Sequence, residues 1–277
     1  MSATGPETTA DNPPRQLITT LYGLYARDHD DWLSVAALVR LMAELGVDGA
    51  AVRSSVSRLK RRDVLRSVRR DGRAGYALSP ASLDILREGD LRIFTRRRAT
   101  AADGWLVAVF SVPEAERERR HALRSQLGRL GFGTAAPGVW VAPGTLYDEA
   151  AATLARLDLL RYTEFFRGDY LGSGDVAARI REWWDLDEMD KLYTEFRDQY
   201  APERARLGTR SPDPAAAFKV YVPMLTSWRR LPYLDPGLPL DHLPEDWAGV
   251  AAGELFEALD GALRAPAAEH ARALLDD

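Results

Sequence analysis

The sequence predicts a multidomain α+β protein with an N-terminal winged helix-turn-helix, a central ferredoxin-like α/β sandwich and a C-terminal α-helical domain. The first region shows helical apolar spacing and then a basic hairpin, the second alternates short apolar strands with helices, and the third is helical almost throughout. At 277 residues the chain is long enough for several domains, each with its own core. We expect a disordered tail over 1–14 and domains over 15–98, 99–174 and 175–277.

Three helices are predicted before the hairpin. The first two, over 16–27 and 35–45, are amphipathic, with apolar residues recurring on one face. The third, over 48–62, begins at a capping aspartate that follows the turn Gly46-Val47. Its apolar residues recur at i, i+4 and i+7 and predict one buried stripe, formed by Val52, Val56 and Leu59.

The opposite face of the third helix carries hydroxyl and cationic side chains, which suit a helix in the major groove of DNA. The hairpin after it turns at Asp71-Gly72 and carries arginines on its arms and tip, as a wing would. The alternative is a solvated basic helix beside an ordinary hairpin. We expect Arg58 to contact a guanine and the wing arginines to contact phosphates. The candidate DNA-binding residues are Arg53, Ser54, Ser57, Arg58, Lys60, Arg61, Arg69, Arg70 and Arg73.

The charge distribution supports a DNA-binding N-terminal region. The whole chain is acidic, with a net charge of −4. Residues 15–98 nevertheless contain 17 Lys and Arg against 10 Asp and Glu, whereas the chain from Ala99 onward contains 20 against 29. Such asymmetry is expected when only one part of a protein meets phosphates.

Composition narrows the class of protein. The chain has no cysteine, which excludes disulfides, thiol nucleophiles and thiolate metal sites and is compatible with a reducing cytoplasm. No apolar stretch reaches the roughly 20 residues that span a bilayer. The first 14 residues lack the basic start and apolar run of a signal peptide. We therefore expect a cytoplasmic protein.

After the hairpin, a helix opens at Ser79-Pro80 and ends near Phe94. The arginine run 96–98 begins a linker, and its charges either touch DNA or keep the hinge hydrated. From Trp105 onward strands and helices alternate in the order β-α-β-β/α-β, which resembles a ferredoxin-like half-open sandwich. The predicted elements are a strand over 105–112, a charged helix over 114–130, a strand over 139–141, a helix through 146–157 and a strand over 160–166.

The C-terminal region is predicted to be helical from Asp175 onward. The segment 176–201 forms one or two amphipathic helices rich in aromatic residues. Since 183–200 carries more apolar side chains than a short helix needs for a monomer core, we expect a two-fold dimer contact there. Helix breaks are expected at Pro202, Pro212 and Pro214 and between Pro232 and Pro244.

Five segments resemble the PaaX-type family of bacterial transcriptional repressors, which control phenylacetic acid degradation. The winged helix alone is weakly specific, because many regulators share it, whereas the last segment is distinctive. In chain order the segments are LITTLYGLYAR (17–27), VRSSVSRLKRRDVLRSVRRDGRAGYALS (52–79), DGWLVAVFSVPE (103–114), GFGTAAPGVWVAP (131–143) and WRRLPYLDPGLPLDHLPEDW (228–247).

The resemblance implies a homodimeric repressor of an aromatic-compound, phenylacetate-like catabolic operon. It implies that the protein binds double-stranded operator DNA and is released by an aryl-acyl-coenzyme A thioester, with no cofactor and no membrane. It also implies a central domain similar to the nuclease of CRISPR adaptation, a helical effector and dimerisation domain after it, and a winged-helix head before it.

An aryl-acyl-coenzyme A thioester requires an apolar slot for its ring and cations for its phosphates. Aromatic and cationic residues alternate in the helical region and supply candidates for both. The alternatives are helix packing for the aromatic residues and a structural hold on Asp235 for the arginines. The candidate effector-binding residues are Trp183, Trp184, Trp228, Arg229 and Arg230.

The alternative function is a metal-dependent nucleic-acid-processing enzyme that uses the ferredoxin-like domain. The CRISPR nuclease holds its metal with an aspartate near the end of its first strand, whereas this strand ends with the sequence FSVP over 110–113. The four histidines, His29, His121, His242 and His270, show no metal-binding spacing. We therefore expect no catalytic residue and no metal site.

Overall fold

The structure, a computed structural model, describes residues 12–95, 97–172, 174–208 and 212–276. The chain is α+β, with two antiparallel sheets and a helical C-terminal region. Its residues group into two compact units. The first contains the chain up to Gly89, Phe196–Trp228 and the chain from Ala251 onward, and the second contains Asp90–Glu195 and Arg229–Val250. The domain boundaries expected from the sequence follow chain order instead and stay a prediction.

The N-terminal part of the first unit combines helices with a three-stranded sheet. Its elements are α1 (Pro14–Leu21), β1 (Trp32–Ser34), α2 (Val35–Glu44), α3 (Gly49–Arg61), β2 (Leu65–Arg70), β3 (Arg73–Leu78) and the start of α4 (Pro80–Phe94). The strands are antiparallel in the order β1-β3-β2. Between β2 and β3 the chain turns at Asp71 and Gly72, whose φ angles of 48° and 76° fit a two-residue type I′ turn. The predicted hairpin is confirmed.

Trp32 lies across the sheet and joins all three strands. Its indole Nε1 donates to the carbonyl oxygen of Val68 at 3.1 Å. Gly75, which pairs with Val68, permits this approach, because a Cβ at Gly75 would lie 2.3 Å from the Trp32 ring and 2.4 Å from the carbonyl oxygen of Leu33. A glycine is therefore required at this position in β3.

Helices α9 (Pro214–Trp228) and α11 (Ala248–Asp276) bring the C-terminal part of the chain into the first unit. Helix α1 packs against α9, where the buried hydroxyl of Thr226 donates to Thr20 Oγ1 at 2.8 Å. Arg40 of α2 donates from Nε and Nη2 to the carbonyl oxygen of Leu274, at 3.1 and 2.8 Å, and so caps the end of α11.

Glu44, the last residue of α2, links that helix to both C-terminal helices. Its carboxylate lies 3.2 Å from the Lys219 ammonium of α9 and 3.5 Å from Nε2 of His270 in α11. The His270 ring also packs on Phe218, with the ring centroids 5.5 Å apart. The position of α2 therefore depends on residues that lie 175 and 226 positions after Glu44 in the chain.

The second unit is built on a four-stranded antiparallel sheet in the order β5-β6-β4-β7. Its elements are β4 (Trp105–Phe110), α5 (Arg117–Arg129), β5 (Gly133–Ala136), β6 (Val139–Pro143), α6 (Tyr147–Arg156), β7 (Thr163–Gly168), α7 (Val176–Trp183), the start of α8 (Leu186–Arg206) and α10 (Leu231–Leu234). Strand β5, which the sequence did not single out, pairs with β6. The core between the sheet and the α5 and α6 helices includes Leu106, Ala108, Leu123, Leu127, Trp140 and Leu154.

A buried carboxylate, Asp235, organises the segment that follows α10. Asp235 is 1% exposed and accepts from the Tyr193 hydroxyl and from Nη2 of Arg98, both at 3.1 Å. Its other oxygen accepts from the backbone amides of Gly237 and Leu238, at 2.9 and 3.2 Å. Four donors thus compensate the desolvation of this charge.

Of the arginine run 96–98, Arg98 differs from the expectation of a hydrated or DNA-contacting hinge, because its guanidinium is largely buried, whereas Arg97 is exposed. Arg97 forms an ion pair with Asp103 at 2.7 Å, and Arg98 is the counterion of Asp235. Arg96 lies outside the described residues. The expectation was wrong for Arg98 because the buried carboxylate that needs it lies 137 residues away in sequence.

Two further expectations are corrected. Helix α8 continues through Pro202, which is exposed and lies in the last part of the helix. The carbonyl that loses its amide partner belongs to Asp198, an exposed residue, so water can take the place of the missing donor and the helix need not break. At the N-terminus, residues 1–11 lie outside the described residues, but the Asn12 amide nitrogen donates to the carbonyl oxygen of Pro223 at 3.1 Å and α1 already begins at Pro14.

The aromatic residues of 183–200 are largely buried within the chain itself. Trp184, Tyr193, Phe196 and Tyr200 all belong to the core. The apolar excess that motivated a dimer contact in this segment is therefore used in packing, and the homodimer stays a prediction on other grounds. Within the described ranges, no helix has the length and apolarity needed to cross a bilayer.

We predict that Gly75→Ala destabilises the protein by about 1–3 kcal/mol, because the added methyl group would overlap the Trp32 ring and force a shift in the sheet. Urea denaturation followed by circular dichroism measures this change. The matched control is Gly261→Ala in α11, where a Cβ would meet open space. There the same substitution should raise stability, by up to about 1 kcal/mol, through helix propensity. If both substitutions changed the free energy of unfolding equally, the close contact between Gly75 and Trp32 would not limit the size of residue 75.

We predict that Asp235→Asn destabilises the protein by about 3 kcal/mol, because it leaves the Arg98 guanidinium partly buried without its counterion. The free energy of unfolding in urea tests this expectation. Asp246→Asn, which removes an exposed carboxylate from the same segment, should change stability by less than about 0.5 kcal/mol. If the two variants have the same free energy of unfolding, the buried Asp235 carboxylate does not organise the segment that follows α10.

Candidate nucleic-acid interface

Helix α3 forms where the sequence predicts it, and the local chemistry explains both ends. Asp48 is the N-cap, and its Oδ1 accepts from the backbone amides of Ala50 and Ala51 at 2.7 and 2.9 Å. These backbone hydrogen bonds lower the pKa of the Asp48 carboxyl below its usual value. At the other end, Asp63 follows the C-cap with a φ of 52° and turns the chain into β2.

One stripe of α3 is buried and the opposite face is open to solvent. The buried residues are Val52, Ser55, Val56 and Leu59, which contain the whole predicted apolar stripe. The candidate DNA-binding residues of this helix, Arg53, Ser54, Ser57, Arg58, Lys60 and Arg61, are all exposed. The Lys60 ammonium lies 5.9 Å from the centroid of the Tyr76 ring in β3. The predicted residues therefore share one accessible face.

The three wing arginines differ in their surroundings. Arg73 is exposed, and Arg69 is exposed with its Nη2 donating to the carbonyl oxygen of Gly72 at 3.0 Å. Arg70 is more constrained, because its guanidinium pairs with the Asp30 carboxylate at 3.2 Å and lies 5.7 Å from the Trp32 ring centroid. Arg70 therefore anchors the wing to the chain before β1, whereas Arg69 and Arg73 present charge at the tip.

A cavity of about 210 Å³ lies at the C-terminal end of α3 and is lined by Leu59 and four arginines. Arg58, Arg61 and Arg62 come from the last turn and the C-cap of α3, while Arg15 comes from the first turn of α1, which packs against α3. All four arginines are exposed. Sequence reasoning missed Arg15, because only the packing of α1 on α3 brings it to this helix.

The candidate effector-binding tryptophans have packing partners. Trp228 is 2% exposed, and its ring stacks on Phe256 with centroids 4.4 Å apart and an interplanar angle of 10°. Trp184 is also buried and donates from Nε1 to the carbonyl oxygen of Gly131 at 2.8 Å. Trp183 is half-buried, and its ring packs edge-on against the ring of Trp105, with the ring centroids 6.2 Å apart.

The two candidate effector-binding arginines also differ. Arg229 is partly buried, and burial lowers the pKa of its guanidinium below the usual value, with a further contribution from the neighbouring charge of Arg230. Arg230 is exposed. Arg229, Arg230, Trp183 and Trp184 belong to the second unit, and Trp228 belongs to the first.

Three family models match the chain in succession. They are described as PaaX-like protein, over residues 13–82, PaaX protein central Cas2-like domain, over 98–180, and PaaX-like protein C-terminal domain, over 184–273. A transcriptional repressor, PaaX, from Escherichia coli (strain K12) is 28% identical over 247 residues, which are 86% of this chain and 77% of that protein.

The solved structure of an uncharacterized protein from Mycobacterium tuberculosis has a similar fold. It aligns with a TM-score of 0.55 and 23% identity, over 92% of this chain and 96% of that one. The family matches follow one another in order and leave few residues between them. The chain therefore belongs to the PaaX-like protein family.

Proposed function

We propose that this protein is a DNA-binding transcriptional repressor and not an enzyme. The observation that carries the proposal is the exposed face of α3, on which cationic and hydroxyl side chains lie opposite a buried apolar stripe. Such a face offers forked guanidinium donors and small hydroxyls to base edges and phosphates. The named function of the Escherichia coli relative, a transcriptional repressor, supports the same conclusion.

The first unit contains the parts of a winged helix-turn-helix. Helices α2 and α3 are joined by a short turn, and the β2–β3 hairpin follows as the wing. In the second unit the strand order β5-β6-β4-β7, with α5 and α6 packed on the core side, supports a ferredoxin-like assignment. We assign DNA binding to the winged helix-turn-helix of the first unit.

In the proposed complex α3 lies in the major groove and the wing lies along the phosphates. Arg53, Ser54 and Ser57 belong to the first part of α3, the part of a recognition helix that contacts base edges. Arg69 and Arg73 at the wing tip face the backbone. Two copies on a palindromic operator would occlude a promoter, which we expect to control genes for catabolism of a phenylacetate-like aromatic compound.

We further propose that an aryl-acyl-coenzyme A thioester releases the protein from its operator. A ligand that lowers DNA affinity must itself bind more weakly to the DNA-bound protein, since the coupling is reciprocal. The contacts of α2 with α9 and α11, through Arg40 and Glu44, offer a physical connection by which the C-terminal helices can influence the DNA-binding helices.

We do not propose the metal-dependent alternative. Strand β4 ends at Phe110 and is followed by Ser111 and Val112, so the chain has no carboxylate where the related nuclease has its metal-binding aspartate. Ser111 offers one neutral hydroxyl oxygen there and Val112 offers no ligand, so the negative charge that a carboxylate supplies to a divalent cation is missing.

We predict that Arg53→Ala weakens operator binding by about 1–3 kcal/mol and leaves binding to random-sequence duplex nearly unchanged, because a base contact is lost. Arg73→Ala should instead weaken binding to every duplex and reduce the magnitude of the salt slope by about 0.9, because a phosphate contact is lost. Fluorescence anisotropy over several salt concentrations, with an operator selected from a random DNA pool, measures both. Equal losses with unchanged salt slopes would show that these roles are wrong.

We predict that an aryl-acyl-coenzyme A thioester dissociates the protein–operator complex and that the free aromatic acid does not, because only the thioester carries phosphates for the arginines. Arg230→Ala should weaken this response at an unchanged melting temperature, since Arg230 is exposed. Arg229→Ala, which alters a partly buried group, should lower the melting temperature as well. Release by phenylacetate alone would overturn the effector assignment while leaving the repressor proposal standing.

A further inference from the structure

We infer that the arginine-lined cavity at the end of α3 is a phosphate site that clamps one backbone phosphate of bound DNA. The inference rests on the proposed DNA binding and extends it to two residues, Arg15 and Arg62, that are not among the candidate DNA-binding residues. It also gives Arg58 a phosphate contact in place of the guanine contact expected from the sequence.

The charges of this site are uncompensated within the described part of the chain. There, none of the guanidinium groups of Arg15, Arg58, Arg61 and Arg62 forms a hydrogen bond or an ion pair. Some arginines elsewhere have carboxylate partners, as in the pairs Arg92–Glu149, Arg98–Asp235 and Arg264–Asp260. Others, such as Arg73 and Arg124, are exposed and have no ion pair within the described residues, so the feature that marks this site is the grouping of four such arginines around one cavity. Four like charges around one cavity repel each other, and an anion bound between them would remove this repulsion.

Arg15 is the residue whose position is hardest to explain without a ligand. It is the second residue of α1, at the positive end of that helix, where the helix dipole disfavours a cation. Arg58 and Arg61, by contrast, lie at the negative end of α3, where the dipole favours them. Among the residues that the structure describes, a purely structural explanation therefore accounts for the α3 arginines but gives no role to Arg15.

The size of the cavity and the four arginines around it fit a phosphate. A volume of about 210 Å³ has room for the group, and because most of the lining is apolar, the exposed guanidinium groups must turn towards the anion to bind it. Arginine pairs with phosphate through two parallel N–H donors, which adds directional preference to charge. When the first part of a recognition helix is in the groove, residues at its other end approach the DNA backbone, where this cavity lies.

The test uses the full-length protein and a random-sequence DNA duplex, because a phosphate contact is independent of sequence. Arg15→Ala/Arg62→Ala should lower affinity roughly tenfold and reduce the magnitude of the salt slope by about 1. The selected operator should lose affinity by the same factor. Arg15→Lys/Arg62→Lys, which retains both charges, should keep most of the salt slope, and Arg124→Ala, on the exposed part of α5, serves as the matched control. Melting temperatures of all variants should equal that of the wild type.

A second arm separates DNA phosphate from a small phosphorylated ligand. Calorimetric titration with inorganic pyrophosphate, without DNA, should show weak binding that the double alanine variant loses. Pyrophosphate binding that is lost in this variant while DNA affinity stays unchanged would assign the cavity to free anions and overturn the clamp.

The remaining outcomes separate the clamp from the proposed function. Wild-type protein that binds its operator specifically, together with a double variant of unchanged affinity and salt slope, would reject the clamp and keep the repressor. A double variant that melts early and regains DNA affinity at lower temperature would assign the arginines to helix stability and also reject the clamp. Wild-type protein that binds no duplex would reject both proposals.

Discussion

The burial of one stripe of α3 is the constraint on which the proposed DNA interface depends. Val52, Val56 and Leu59 are removed from water, and burial of each such side chain contributes on the order of 1.5–3 kcal/mol. Because residues of a helix are separated by about 100°, fixing this stripe also fixes the direction of Arg53, Ser54 and Ser57. The Asp48 cap determines where the helix begins and hence which residues enter the exposed face.

Helix α2, the neighbour of the proposed recognition helix α3, is held by distant parts of the chain. Arg40 caps the last helix at Leu274, and Glu44 lies beside Lys219 and His270, so α2 is connected to both α9 and α11. A displacement of α9 or α11 can therefore reach α3 through α2, which packs against α3. Removing the C-terminal residues would also expose part of the unit that contains the interface.

Local features of the fold were predictable from the sequence, and long-range contacts were not. The third helix and its Asp48 cap, the hairpin turn at Asp71-Gly72 and the exposed candidate residues on α3 follow from spacing and turn chemistry and are confirmed as structural features. The ion pair between Arg98 and Asp235, the passage of α8 through Pro202 and the meeting of Arg15 with α3 depend on packing between distant segments. The effector residues, chosen by composition, include Trp228, whose ring is stacked on Phe256.

A repressor of this kind must recognise a specific DNA sequence. Equilibrium competition measures this property when full-length protein bound to an operator selected from random DNA is challenged with unrelated duplex at physiological salt. We expect the operator to be bound at least about 10³-fold more tightly than the unrelated duplex. Equal affinity for the two duplexes, or no binding to either, would contradict it.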